Sequence, residues 1–139
     1  MPATQKATLR DAASDDRLVA AGLKAFFRMA KGWKLDDAEQ AKVLGDISRS
    51  TLYNWRAEAP SKLPVETFRA VSLMLGIHAL LRKLFPGAPE GAMAARVRRV
   101  GTLWFAPTQS LVDFVCEGGP IAMDLVRRHL VHEAGADVV

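Results

Sequence analysis

Residues 41–56 read Ala-Lys-Val-Leu-Gly-Asp-Ile-Ser-Arg-Ser-Thr-Leu-Tyr-Asn-Trp-Arg. One short helical segment runs from Asp36 to Leu44 and stops at Gly45. A second, Arg49 to about Ala57, has Ser48 as its N-cap and is closed by Pro60. Two short helices joined by a glycine-containing turn of three or four residues have helix-turn-helix spacing. Ala41 and Leu44 lie on the inner face of the first helix, and Leu52 and Trp55 on that of the second, because the two cross closely. Gly45 tolerates the positive φ such a turn often requires. With Leu52 and Trp55 turned inward, Arg49, Ser50, Tyr53, Asn54 and Arg56 face outward.

That outward set suits a reader of the DNA major groove. Arginine makes bidentate contacts to guanine and asparagine to adenine, while serine and tyrosine hydroxyls bind phosphates that fix the register. Arg49 and Ser50, at the helix N-terminus, are expected nearest the bases, Tyr53 and Asn54 next, and Arg56 on the sugar-phosphate backbone. An ordinary helical hairpin with a polar outer face is the alternative. The fuller pattern Gly-x-x-Ser-x-Ser-Thr-x-x-x-Trp favours DNA contact over it.

Working outward, Leu18, Leu23, Phe26, Phe27 and Met29 recur at helical spacing and predict a helix from Asp15 to about Lys31, with Ser14 available as its cap. Pro64 opens a helix through Leu84 whose residues 71–81 are apolar on nearly every face, so it needs cover from neighbouring helices or from a second subunit. Residues 87–91, Gly-Ala-Pro-Glu-Gly, form a linker. Helices are expected over 92–100, 108–116 and 121–133, with Trp104 and Phe105 in a loop and Gly118-Gly119-Pro120 separating the last two. No segment has strand character. The expected fold is all-α: an N-terminal helix-turn-helix domain followed by a small helical C-terminal module. Residues 1–14 are expected as a flexible N-terminus, 15–86 as helix-turn-helix and dimerisation helices, and 87–139 as the C-terminal module with its tail.

The chain has 139 residues, half of them hydrophobic, and a formal net charge of +4. That is enough for one compact core and excludes a disordered tail. Residues 1–63 hold eleven Lys/Arg against eight Asp/Glu, and residues 64–139 eight against seven, so most of the basic excess lies beside the helix-turn-helix. A single cysteine, Cys116, excludes an internal disulfide and suits a reducing cytoplasm. The first residues lack the apolar core of a secretion signal, and no apolar run approaches the ~20 residues of a membrane span.

The stretch LGDISRSTLYNWR, 44–56, resembles the helix-turn-helix of the Xre/MbcA/ParS antitoxin family, and SLVDFVCEGGPIAMDLVRRHL, 110–130, resembles that family's C-terminal toxin-binding module. Ser110, Leu111, Gly118, Gly119, Val126, Arg127, Arg128 and Leu130 stand at the matching positions. Phe105 takes the family's Phe position in GTLWFAP, 101–107, although Ala106-Pro107 replaces the expected glycine turn. The resemblance spans about residues 36–132. It implies the antitoxin of a type II toxin-antitoxin pair, which binds and blocks a cognate RES-type, NAD-consuming toxin and represses its own operon. A homodimer on a palindromic operator is expected from the over-apolar helix at 65–84 and the two-half-site logic of such motifs. Toxin contacts are implied for Phe105, Arg127 and Arg128. They are also implied for the tail Gly135, Ala136, Asp137, Val138 and Val139, which would enter the toxin's active site. The alternative is a stand-alone transcription regulator whose C-terminal module serves for oligomerisation.

No phosphate loop, nucleophile motif or metal-ligand cluster is present, so neither an enzyme nor a cofactor is expected. His78, His129 and His132 are read as surface or packing residues, and Cys116 as an inert core thiol. Asp36, Asp37 and Glu39 are read as helix-capping acids. Arg96, Arg98 and Arg99 are read by default as a solvated face, with DNA backbone or an acidic rim of the toxin as the alternatives.

Overall fold

A computed structural model describes residues 2–89 and 91–135, with side chains from residue 8 onward. Among the described residues the chain is all-helical: α1 (Pro2–Ala13), α2 (Asp16–Gly32), α3 (Asp37–Val43), α4 (Arg49–Ala57), α5 (Val65–Leu84), α6 (Ala92–Val97) and α7 (Leu111–Glu133). Helix α1 occupies the stretch expected as a flexible N-terminus. Its sequence, PATQKATLRDAA, carries strong helix formers without a pronounced apolar stripe, so propensity marks it where periodicity does not. Its C-terminal end is fixed by buried Ala13, whose carbonyl accepts the Leu63 amide at 2.9 Å.

The cap of α2 is Asp15, one residue beyond the expected Ser14: its carboxylate accepts the amides of Arg17 and Leu18. Val19, Leu23, Phe26, Met29 and Ala30 form the buried face of α2. Trp33, just past its end, is fully buried and donates its indole N–H to His78 Nδ1 on α5 at 3.0 Å. Burial and the neighbouring Arg82 charge hold the His78 imidazole below its usual range, which keeps the accepting nitrogen unprotonated.

Helix α5 is the central element. Thr67, Ala70, Val71, Met74, Ile77 and Leu81 are buried along it, and α2 and α7 lie against it. The cover that its apolar sequence demanded is therefore supplied within the chain. Residues from both sides of the 87–91 segment share one core, in which Leu103, Val112 and Met123 join Leu23, Phe26, Trp33 and Leu52. Helix α6 ends at Val97, short of the expected 100. Helix α7 begins at Leu111, with the hydroxyl of buried Ser110 accepting the Asp113 amide.

The expected break falls inside α7, where two helical stretches meet at a sharp kink. Gly119 has φ 64° and ψ −152°, and Pro120 follows it. That backbone region is essentially restricted to glycine, and proline disfavours an α conformation in the residue before it. A Cβ on Gly118 would sit 2.4 Å from Ala122 Cβ, so this position also demands glycine. The kink lets the two halves bury Leu111, Val112 and Val115, then Ala122, Met123, Val126 and Leu130, in the same core. Gly119→Ala is expected to destabilise the chain by ~1–3 kcal/mol. Urea unfolding checks this, and an unchanged midpoint would show that the backbone relaxes out of the left-handed region.

Candidate functional site

The helix-turn-helix comprises α3, the turn and α4. Asp36 accepts the Glu39 amide at 2.7 Å and Glu39 accepts the Asp36 amide at 2.9 Å, a reciprocal capping box that opens α3. At its other end the buried Thr67 hydroxyl, from α5, donates to the Leu44 carbonyl at 2.9 Å. The turn runs through Gly45 at φ 106° and Asp46 at φ 61°. A Cβ on Gly45 would lie 3.2 Å from Thr67 Oγ1, so this glycine serves both the left-handed turn and the close approach of α5. Ser48 then caps α4 by accepting the Thr51 amide.

Leu52 is fully buried and Trp55 half-buried against the core, which turns the remaining face of α4 outward. Arg49, Ser50, Tyr53, Asn54 and Arg56 are all exposed, but they fall into two groups. Arg49, Ser50 and Asn54 carry no side-chain hydrogen bond among the described residues. Tyr53 and Arg56 lie along the edge facing α3 and are fastened there. The Tyr53 hydroxyl donates to Asp37 Oδ2 at 2.9 Å, and Arg56 donates to Asp37 Oδ1 at 3.0 Å and to Gln40 Oε1 at 2.9 Å. The Arg56 guanidinium also lies 5.6 Å from the ring centroids of both Phe27 and Tyr53. The Tyr53 and Arg56 bonds, together with the Arg56 and Arg49 charges, hold the Asp37 carboxyl below its usual range. Asp37 thus buttresses α4, a role that its position in a helix's first turn does not announce.

On the C-terminal side, Phe105 is half-buried in an aromatic cluster, its ring 5.4 Å from Phe114, 5.7 Å from His129 and 5.5 Å from Trp104. Trp104 is the exposed member at 77%, so the loop presents its tryptophan to solvent rather than its phenylalanine. It borders an apolar groove of about 560 Å³ with Leu84, Phe85, Leu103 and Leu130. Ile121 and Leu125, one turn apart on α7, are also exposed. Arg127 and Arg128 both reach back to Asp124 on their own helix, at 3.3 and 2.9 Å. Gly135 is described. The expected contacts Ala136, Asp137, Val138 and Val139 lie outside the described residues.

Arg96 and Arg98 are not a merely solvated face. The Arg96 guanidinium stacks 3.4 Å from the Phe85 ring centroid. Arg98 clamps both Glu39 oxygens, at 2.9 and 2.7 Å, and donates to the Lys34 carbonyl at 2.7 Å. The segment following α6 is thereby fastened to the first turn of α3. Cys116 reinforces this junction from α7, with its S–H pointing at the Glu39 carbonyl at 3.8 Å. Burial pushes its thiol up to about 11, the inert state expected of a core cysteine. Among the described residues no group of acids, histidines or cysteines has the arrangement of a metal site, and no helix is long and apolar enough to cross a membrane.

An all-α chain in which a capped helix-turn-helix presents Arg49, Ser50 and Asn54 to solvent has the form of a DNA-binding regulator. Residues 6–76, just over half the chain, match the family described as antitoxin Xre-like helix-turn-helix domain. The chain belongs to this family of DNA-binding antitoxins. It is also 34% identical over 122 residues, spanning 88% of this chain and 91% of the relative, to a protein of Sinorhizobium fredii (strain NBRC 101917 / NGR234) described as uncharacterized protein y4oB. No solved structure matches the chain.

The Arg98 side chain is 40% exposed, so the value of its clamp is discounted for solvent screening. Arg98→Ala is expected to lower stability at pH 7 by about 1 kcal/mol. Chiefly through the Arg98 hydrogen bonds, the Glu39 carboxyl is held below its ordinary range. The clamp therefore contributes fully above the unfolded carboxyl value near ~4.3 and is lost as pH falls through the lower folded value. Thermal melts of both proteins should differ at pH 7 and converge towards pH 3; a constant gap would mean that Arg98 acts through packing alone.

Proposed function

We propose that this chain is the antitoxin of a type II toxin-antitoxin pair, repressing its own operon through α4 and neutralising a RES-type, NAD-consuming toxin through its C-terminal module. It acts by occupying surfaces and not by catalysis. The observation that carries the DNA half is the solvent-facing set Arg49, Ser50 and Asn54 on a helix whose other face is locked into the core. Arg49 and Ser50 read bases from the helix N-terminus and Asn54 reads the next position. Tyr53 and Arg56, held by Asp37, fix the helix edge and offer their remaining donors to phosphates. Two copies reading two half-sites of a palindromic operator make a homodimer the working unit.

The toxin half rests on the resemblance of residues 110–130, supported by the exposed apolar groups that border this module. Trp104, Ile121 and Leu125 are the kind of side chains that become buried when a partner docks, with Arg127 and Arg128 at the edge of such a surface. Phe105 contributes by holding the Trp104 loop in place. The segment from Gly135 to Val139 would plug a cleft built for a dinucleotide.

The first test is co-expression with the product of the adjoining open reading frame. Co-purification with rescue of growth supports the antitoxin; the absence of both toxicity and complex would leave a stand-alone regulator whose C-terminal module serves oligomerisation. Arg49→Ala combined with Asn54→Ala should abolish the preference for DNA upstream of the gene over random duplex, and leave rescue intact. Retained preference would displace α4 from its reading role. Removing residues 135–139 should weaken rescue, and full rescue by the truncated chain would remove the plug.

A further inference from the structure

We propose that the outward face of α2 is a second nucleic-acid contact, a track for DNA phosphates running beside the base-reading helix. Residues 17–34, RLVAAGLKAFFRMAKGWK, contain Arg17, Lys24, Arg28, Lys31 and Lys34 and no acid. With Val19, Leu23, Phe26 and Ala30 buried, the helical repeat places Arg17, Lys24, Arg28 and Lys31 within an arc of about 60° on the opposite side. All four are exposed, and so are Ala20, Ala21 and Ala25, which lie among them. None of these cations forms an ion pair among the described residues, whereas Arg56, Arg69, Arg98, Arg127 and Arg128 all do. Small alanines leave the surface open to close approach and supply nothing to wedge between bases, which fits contact with a charged backbone.

The stripe is continuous with the helix-turn-helix. Lys31 and Lys34 line one shallow depression with Asp37, Gln40 and Arg56, and Phe27 of α2 lies beneath the Arg56 guanidinium. In a docked helix-turn-helix the helix before the reader crosses the DNA backbone. Here that helix, α3, begins with Asp36, Asp37 and Glu39, a charge sign that repels phosphate. Two of the three acids are neutralised within the chain, Asp37 by Arg56 and Glu39 by Arg98. The attraction that α3 does not provide is available on α2. From Arg17 to Lys31 the track extends about 21 Å at the helical rise per residue. Phosphates of one strand recur about every 3.4 Å along the DNA axis, so several fall within its reach. This inference rests on the DNA-binding reading of α4 and extends it to the flanks of each half-site.

The test uses the full chain carrying Lys24→Gln, Arg28→Gln and Lys31→Gln, a random-sequence 30-bp duplex, and the DNA upstream of the gene. Each lost phosphate contact lowers the slope of log affinity against log salt by about 0.9. The triple variant is expected to lose about 2–3 units of slope, and to bind both duplexes roughly tenfold or more weakly at low salt. The preference for upstream over random DNA should stay within about twofold of wild type, since phosphate contacts carry no sequence information. Lys24→Arg with Lys31→Arg, which conserves the charge, should keep the wild-type slope; Lys83→Gln with Arg99→Gln, which lowers net charge elsewhere, should leave it unchanged. An equal melting temperature for the triple variant separates this effect from a structural role. An unchanged slope in a folded triple variant would overturn the track and leave the stripe to an acidic protein surface. Wild-type chain with no salt-dependent binding to either duplex would overturn the DNA reading itself, and the track with it.

Discussion

Helix α5 sets the terms for everything around it. A helix with Val71, Met74, Ile77 and Leu81 on its inner face and Leu73, Leu75, Leu80 and Leu84 on its flanks is not stable in water until other elements cover it. Helices α2 and α7 do so from different parts of the chain. Because α2 leads into the helix-turn-helix and α7 carries the C-terminal module, burying α5 draws both into one core. Displacing α7 from α5 would expose apolar surface at about 25 cal/mol per Å², so the two halves of the chain are mechanically connected.

The same connection is made at the surface by charge. Glu39 belongs at once to the capping box of α3 and to the Arg98 clamp, and its main-chain carbonyl faces Cys116 of α7. A partner that moved the segment between α6 and α7 would act directly on the first turn of the helix that supports α4. On the other flank, Asp37 ties α3 to the edge of α4 through Tyr53 and Arg56. The acids of α3 are thus spent on internal architecture, while the cations of α2 have no such partners among the described residues. This division of paired and unpaired charge gives the N-terminal half its outward basic character.

Much of this was legible from residues alone. The bounds of α4, its Ser48 cap, the glycine turn and the inward pair Leu52 and Trp55 follow from capping chemistry and helical periodicity, which act over a few residues and so are written locally. The α5 helix, the Gly118-Gly119-Pro120 break and the inert Cys116 were accessible for the same reason. Helix α1 was not, because alanine-rich helix propensity leaves no strong apolar stripe to find. Reading Arg98 as solvated failed because its partners, Glu39 and the Lys34 carbonyl, are some sixty residues away in sequence.

By itself, then, the sequence determined that α2 to α5 are helical, where α3 and α4 stop, and which face of α4 is turned away from the core, since caps, glycine turns and apolar spacing are short-range constraints. Only the tertiary structure decided that Tyr53 and Arg56 brace α4 against α3, that Trp104 rather than Phe105 meets solvent, and that α2's cations border the helix-turn-helix. Those outcomes depend on which distant helices pack together. That choice is made by the shared burial of α2, α5 and α7 and is not encoded in any one stretch of the chain.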